Sequence, residues 1–270
     1  MKSVSKCDLK KFDSLTTTVP VIRSIAEMGL KQGSKGWDYE QSFLIKGLVP
    51  SNSLMCMYGP SGSYKSFQAL SWCCHIVAGL DWDGNKVEQG SVLYIAAEGG
   101  PQVAKRIKAW EEKNSLEVHG LARLDRPVLP SESEEQQFII DCCLTLEKES
   151  GMPVKLIVLD TLARCFGGND ENLARDMGAF VYGCDVIKQA TGAAVLVVHH
   201  SGKNESGGAR GSSALRAAMD CEYWITKEDP QQIGFSLACT KMKDSEPPTK
   251  AGYALKVINL RVEEDGDAVT

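Results

Sequence analysis

The chain has 270 residues, 43% hydrophobic and 24% charged, the balance of an ordinary globular protein; collagenous, coiled-coil and disordered chains are excluded. Thirty basic against thirty-five acidic residues leave a formal net charge of -5, so the surface as a whole is no nucleic-acid glove and any such contact must be local. No apolar run approaches the roughly 20 residues that cross a bilayer, and the start MKSVSKCDLKKFDS has no signal-peptide core. A soluble, cytoplasmic protein with no membrane partner is expected.

The ten cysteines lie mostly in apolar or helical stretches and form no C-x-x-C pair. They read as small buried hydrophobes of a reducing compartment, with no metal-thiolate site.

Residues 1–40 read as an N-terminal arm and linker. Thr17 or Thr18 can cap a helix there, Pro20 suits its first turn, and Val21, Ile22, Ile25, Ala26 and Met28 make one apolar stripe before the linker that begins at Gly33. Residues 41–270 read as one α/β domain. Apolar runs alternate with amphipathic stretches, which predicts a mainly parallel sheet flanked by helices. Strands are expected at Leu54–Tyr58, Ser91–Ala97, Lys155–Asp160 and Ala194–His199. Helices are expected at Ser66–Gly79, Pro101–Asn114, Ser133–Ser150 and Asn172–Ala190. Toward the C-terminus CEYWIT, IGFSLACTK and YALKVINL suggest antiparallel strands joined by short turns.

The most informative segment is an apolar strand that runs into Gly59-Pro60-Ser61-Gly62-Ser63-Tyr64-Lys65-Ser66-Phe67 and then a helix. Small residues let successive backbone N–H groups curl around phosphates, the helix N-terminus adds its dipole, Lys65 adds charge, and Ser66 offers a hydroxyl to Mg²⁺. This is nearly the pattern of a phosphate-binding loop, with ATP as its expected ligand; a glycine-rich strand-to-helix turn with an incidental lysine is the plain alternative. Tyr64 departs from the pattern, since glycine is usual there; it fits if its backbone has helical angles and its ring points away from the nucleotide.

Glu98 ends the apolar strand VLYIAAE, where α/β sheets place ligand sites, and its carboxylate can polarise an attacking water. Asp160 ends KLIVLD and is positioned to hold Mg²⁺ through its water shell. The fourth strand ends in His199 and His200. Beside a γ-phosphate a neutral imidazole can donate a hydrogen bond that disappears on hydrolysis, so one of the pair is a candidate sensor.

The order of these pieces resembles the RecA-like P-loop ATPases. The segments GPSGSYKSF, LYIAAEGG, LIVLDTLARCF, VLVVHHSGK and ARGSSALRAAMD are most similar to the RepA-type hexameric replicative helicases of plasmids and phages. The resemblance implies a hexameric ring with ATP bound between neighbours and single-stranded DNA in the centre. It also implies that the small-residue loop at 201–213, which carries Lys203 and Arg210, faces DNA. These cations with exposed amides can track phosphates, although a solvated loop has the same composition. Lys241-Met-Lys243 resembles the basic finger of DnaB-type and KaiC-type ATPases, which reaches a neighbour's nucleotide. Arg216 competes for that role, and a solvated basic patch is the plain alternative.

The resulting expectation is an ATP- and Mg²⁺-dependent DNA helicase, with no length left for a primase. A filament-forming recombinase or annealing ATPase is an alternative, as is a nucleotide-switched assembly protein without DNA activity.

Overall fold

The computed structural model describes residues 24, 27–202, 211–227, 229, 233–262 and 268–269. The chain divides into two compact units, Met1–Glu40 and Gln41–Thr270. The helix expected around residues 17–28 lies almost wholly outside the described residues, as do Lys203 and Arg210; Met28 and Gly29 belong to a turn.

The second unit is built on an eight-stranded sheet of order β10-β9-β8-β3-β7-β6-β4-β5. Its parallel part comprises β3 (Leu54–Gly59), β4 (Ser91–Ala96), β5 (Leu121–Leu124), β6 (Val154–Asp160), β7 (Ala194–His200) and β8 (Cys221–Thr226). β3 and β4 are buried at every position, as expected for parallel strands covered on both faces. Two antiparallel strands, β9 (Gly234–Met242) and β10 (Ala251–Ala254), extend the sheet beyond β8. A short hairpin of β1 (Phe43–Ile45) and β2 (Val49–Pro50) precedes it.

α1 (Lys65–Ala78) and α2 (Gly100–Asn114) pack on one face, where Trp72, Ile76 and Val103 meet Met55, Met57 and Tyr94. The other face is covered by α3 (Ser133–Ser150), α4 (Leu162–Cys165), α5 (Ala174–Thr191) and α6 (Ser213–Ala218). α1, α3 and α5 all end at a glycine in left-handed conformation, a stop that L side chains adopt only with strain.

The α/β class with a mainly parallel sheet and antiparallel strands toward the C-terminus is as the sequence predicts, and the fold is consistent with a RecA-like core. The tail differs in one place. YALKVINL is a strand only as far as Ala254, which pairs with Gly234, the first residue of β9; the Leu255 amide still bonds the Ile233 carbonyl, but 256–260 lie outside any strand.

Among the described residues no helix is long and apolar enough to cross a membrane. Their cysteines are free thiols, most of them buried.

Candidate active site

β3, β4, β6 and β7 all end at the same edge of the sheet, and their C-terminal residues meet there. Gly59 pairs with His200 across β3 and β7, and Ala96 pairs with Asp160 across β4 and β6. This is the edge where open α/β sheets bind ligands. A cleft of about 330 Å³ opens at it, lined by Gly62 to Phe67, Glu98, Gln102, Arg106, Asp160, Thr161 and His200 among others.

The loop from Gly59 to Tyr64 turns tightly into α1. A Cβ on Gly59 would stand 2.0 Å from the Ile225 carbonyl oxygen, so only glycine lets β8 approach the loop this closely. Gly62 and Tyr64 both have positive φ, 74° and 69°. The Tyr64 backbone is therefore left-handed, not right-handed helical as its place before the helix suggests. Its ring packs on Phe67 and Phe235, with centroids 5.8 and 5.9 Å away.

Lys65 is 6% exposed. Its ammonium donates to the carbonyls of Gly59 and Pro60 at 3.0 and 2.6 Å and to the Ser63 hydroxyl at 3.5 Å. Burial lowers its pKa to about 8, against the pull of Asp160 and Glu98, which favour the charged form.

Asp160 is 3% exposed and accepts the Tyr94 hydroxyl at 2.5 Å. Burial raises its pKa; hydrogen bonds from Tyr94 and Ser66 and the charges of Arg106 and Lys65 oppose the rise. A hydroxyl and a carboxylate held together at the mouth of a phosphate loop are hard oxygen donors of the kind Mg²⁺ takes alongside phosphate and water. Ser66 and Asp160 therefore fit that ion.

Glu98 stands exposed beside them, with the Thr161 hydroxyl 3.5 Å from its Oε2. His200 lines the cleft, whereas His199, one residue earlier on the strand, is fully buried. Strand alternation sends the two imidazoles to opposite sides.

Lys241, Lys243 and Arg216 lie elsewhere. β9 runs antiparallel to β8, so Lys241 pairs with Glu222 near the start of β8. The Lys243 amide bonds the Asp220 carbonyl, and Asp220 bonds the first residue of β3. These lysines thus sit at the edge opposite the phosphate loop, about 17 Å away along β3 at the usual strand rise. Lys241 donates to the carbonyls of Arg216 and Ala217 at 2.6 and 3.2 Å, Lys243 pairs with Asp220 at 2.9 Å, and Arg216 pairs with the buried Glu222 at 3.1 Å.

Two cleft residues, and one buried beneath them, were not marked by the sequence. Gln102 and Arg106 stand four apart on α2 and line the cleft, and the Arg106 guanidinium lies 4.2 Å from the Phe67 ring centroid. A polar pair at helical spacing just after the strand-end Glu98 was the available signal. Tyr94 was hidden in an apolar run, although a buried phenol implies a partner for its hydroxyl.

A family model described as an AAA domain matches residues 33–206, more than half of the chain and every strand end that forms the cleft. The chain belongs to this AAA-domain family. It is a nucleotide-hydrolysing P-loop ATPase. No curated protein matches the chain significantly.

Proposed function

We propose that the ATPase is a hexameric DNA helicase of the RepA type, hydrolysing ATP between neighbouring subunits as it moves on single-stranded DNA. The observation that carries this reading is the split of the basic groups between the two edges of one sheet. Lys65 and Arg106 are at the cleft, whereas Lys241, Lys243 and Arg216 lie at the far edge, out of reach of their own subunit's nucleotide. A basic finger at that edge acts only on a neighbour, which requires an oligomer.

In this mechanism the loop amides from Gly59 to Ser66, with Lys65, hold the β- and γ-phosphates. Ser66 and Asp160 would hold Mg²⁺, which would supply charge neutralisation for the phosphates. Glu98 orients the attacking water, Arg106 adds charge beside Asp160, and His200 donates to the γ-phosphate until it leaves. His199 supports the same strand from within the core. Lys241 or Lys243, with Arg216 as the competing group, stabilises the neighbour's transition state, a contribution worth about 10³ to 10⁵ in rate for such fingers. Loss of the His200 contact passes to the loop after β7, where Lys203 and Arg210 track the DNA backbone without reading bases. The arm at residues 1–40 links adjacent subunits.

Negative-stain imaging with a non-hydrolysable ATP analogue and an oligonucleotide, paired with a strand-displacement assay, tests the proposal. Closed rings and ATP-dependent displacement are expected. Filaments without displacement would point to a recombinase or annealing ATPase, and failure to bind single strands at low salt to an assembly protein.

A further inference from the structure

Tyr64 occupies the loop position usually held by glycine, with a φ of 69° that strains any L side chain. What its side chain does there is specific. The hydroxyl lies 3.1 Å from the Lys227 ammonium, which is also 4.5 Å from the ring centroid. The ring is wedged against Phe67 of α1 and Phe235 of β9, so the phenol has little freedom. Lys227 directly follows β8, and β8 ends beside β3, Trp224 pairing with Tyr58. The ammonium is therefore delivered to the sheet edge that carries the phosphate loop. Glycine at position 64 would supply neither the ring nor the hydroxyl that holds it.

We propose that Tyr64 is a positioning residue that holds the Lys227 ammonium beside the phosphate loop, as a second cation for the nucleotide's phosphates. This rests on the nucleotide reading of the cleft and adds to it a binding group outside the loop motif. Lys65 is buried and engaged with loop carbonyls, so a cation nearer solvent attracts a polyanionic ligand before Lys65 is displaced from its carbonyls. With the ammonium 4.5 Å from the ring centroid and 3.1 Å from the hydroxyl, it lies roughly 8 Å from the Tyr64 backbone, about one Debye length at physiological salt. Against several phosphate charges, that range is worth a factor of about three to ten in affinity at low salt.

The test is binding of fluorescent ADP and of a fluorescent non-hydrolysable ATP analogue to the full chain at low and high salt. Lys227→Met is expected to weaken the ATP analogue by about three- to tenfold, to weaken ADP less, and to flatten the salt dependence. Lys227→Arg should bind normally. Tyr64→Phe keeps the ring and the strained backbone but removes the hydroxyl; it should give part of the Lys227→Met loss, the ring face still holding the ammonium, and the double variant should lose no more than Lys227→Met alone. Unchanged affinity in Lys227→Met overturns the proposal. So do losses that add in the double variant, or a Tyr64→Phe defect that appears only as a lower Tm with the wild-type salt slope. Lys65→Ala separates the two readings: if it binds nucleotide normally, the reading of the cleft falls and this proposal with it, whereas a defect in Lys65→Ala alone overturns only the role of Lys227.

Discussion

The Tyr94 hydroxyl donates to the Asp160 carboxylate at 2.5 Å between the neighbouring strands β4 and β6. Neither side chain meets solvent to any extent, Tyr94 being 0% and Asp160 3% exposed. One oxygen of the carboxylate is thus held from within the sheet, and Ser66 approaches from the helix side. Tyr94→Phe removes a hydrogen bond to a buried charged group, which costs about 1.5–3 kcal/mol. The urea midpoint should fall accordingly, and hydrolysis should need more Mg²⁺ to saturate. A wild-type Mg²⁺ dependence would show that Asp160 is held without Tyr94.

Lys65 and Glu98 should separate binding from turnover. In the proposed mechanism Lys65 contacts ground-state phosphates, so Lys65→Ala should weaken nucleotide binding and abolish hydrolysis. Glu98→Gln should bind normally and lose about 10²- to 10⁴-fold in kcat, the range of a missing general base. Normal turnover in Glu98→Gln would remove it from the water's path.

Burial of Lys65 makes the stability of the nucleotide-free protein pH-dependent. Its folded pKa of about 8 lies below the ordinary lysine value of 10.5, so between those pH values the unfolded chain binds more protons. Stability from this group therefore rises with pH across about 8 to 10.5, by up to ~3 kcal/mol. Chemical denaturation at pH 7.5 and at pH 10, values of about the two ends of that window, should show the rise in wild type but not in Lys65→Met. Equal slopes for the two proteins would contradict it.

The far-edge lysines give a prediction about mixtures. Lys241→Ala and Lys243→Ala should each bind ATP and hydrolyse it slowly. Mixed with Lys65→Ala subunits, which lack the cleft lysine but keep both fingers, they should recover activity at shared interfaces. Strictly additive activity would mean that these lysines act within their own subunit or not at all.

Removal of the arm should act on assembly. Met28, Leu30, Trp37 and Tyr39 are all more than half exposed, an apolar surface that the proposed ring would cover. Deletion of residues 1–36 is expected to leave a folded monomer that binds ATP without forming rings. Sedimentation distinguishes this from unchanged rings, which would make the arm dispensable, and from aggregation, which would make it a cover for its own core.

The sequence by itself determined the four central strands and the identities of Gly59 to Ser66, Glu98 and Asp160 as strand-end groups. Strands covered on both faces must be apolar throughout, so the first polar residue after each run marks the edge where a ligand can be met. Short elements with weaker patterns, the β1–β2 hairpin, β5 and α4, did not stand out. Tertiary structure alone decided what lies beside what. The strand order brings Arg106 and Tyr94 to Asp160, although 54 and 66 residues separate them in the chain. Strand pairing turns His200 to the cleft and His199 into the core. The reversal of β9 carries Lys241 and Lys243 to the far edge, and packing against Phe235 holds Tyr64 in a backbone conformation that its own preferences disfavour. Local periodicity follows from the hydrogen-bond geometry of each element, which the chain writes residue by residue. Adjacency follows from which apolar faces bury one another, a property of pairs of distant segments that no single stretch records.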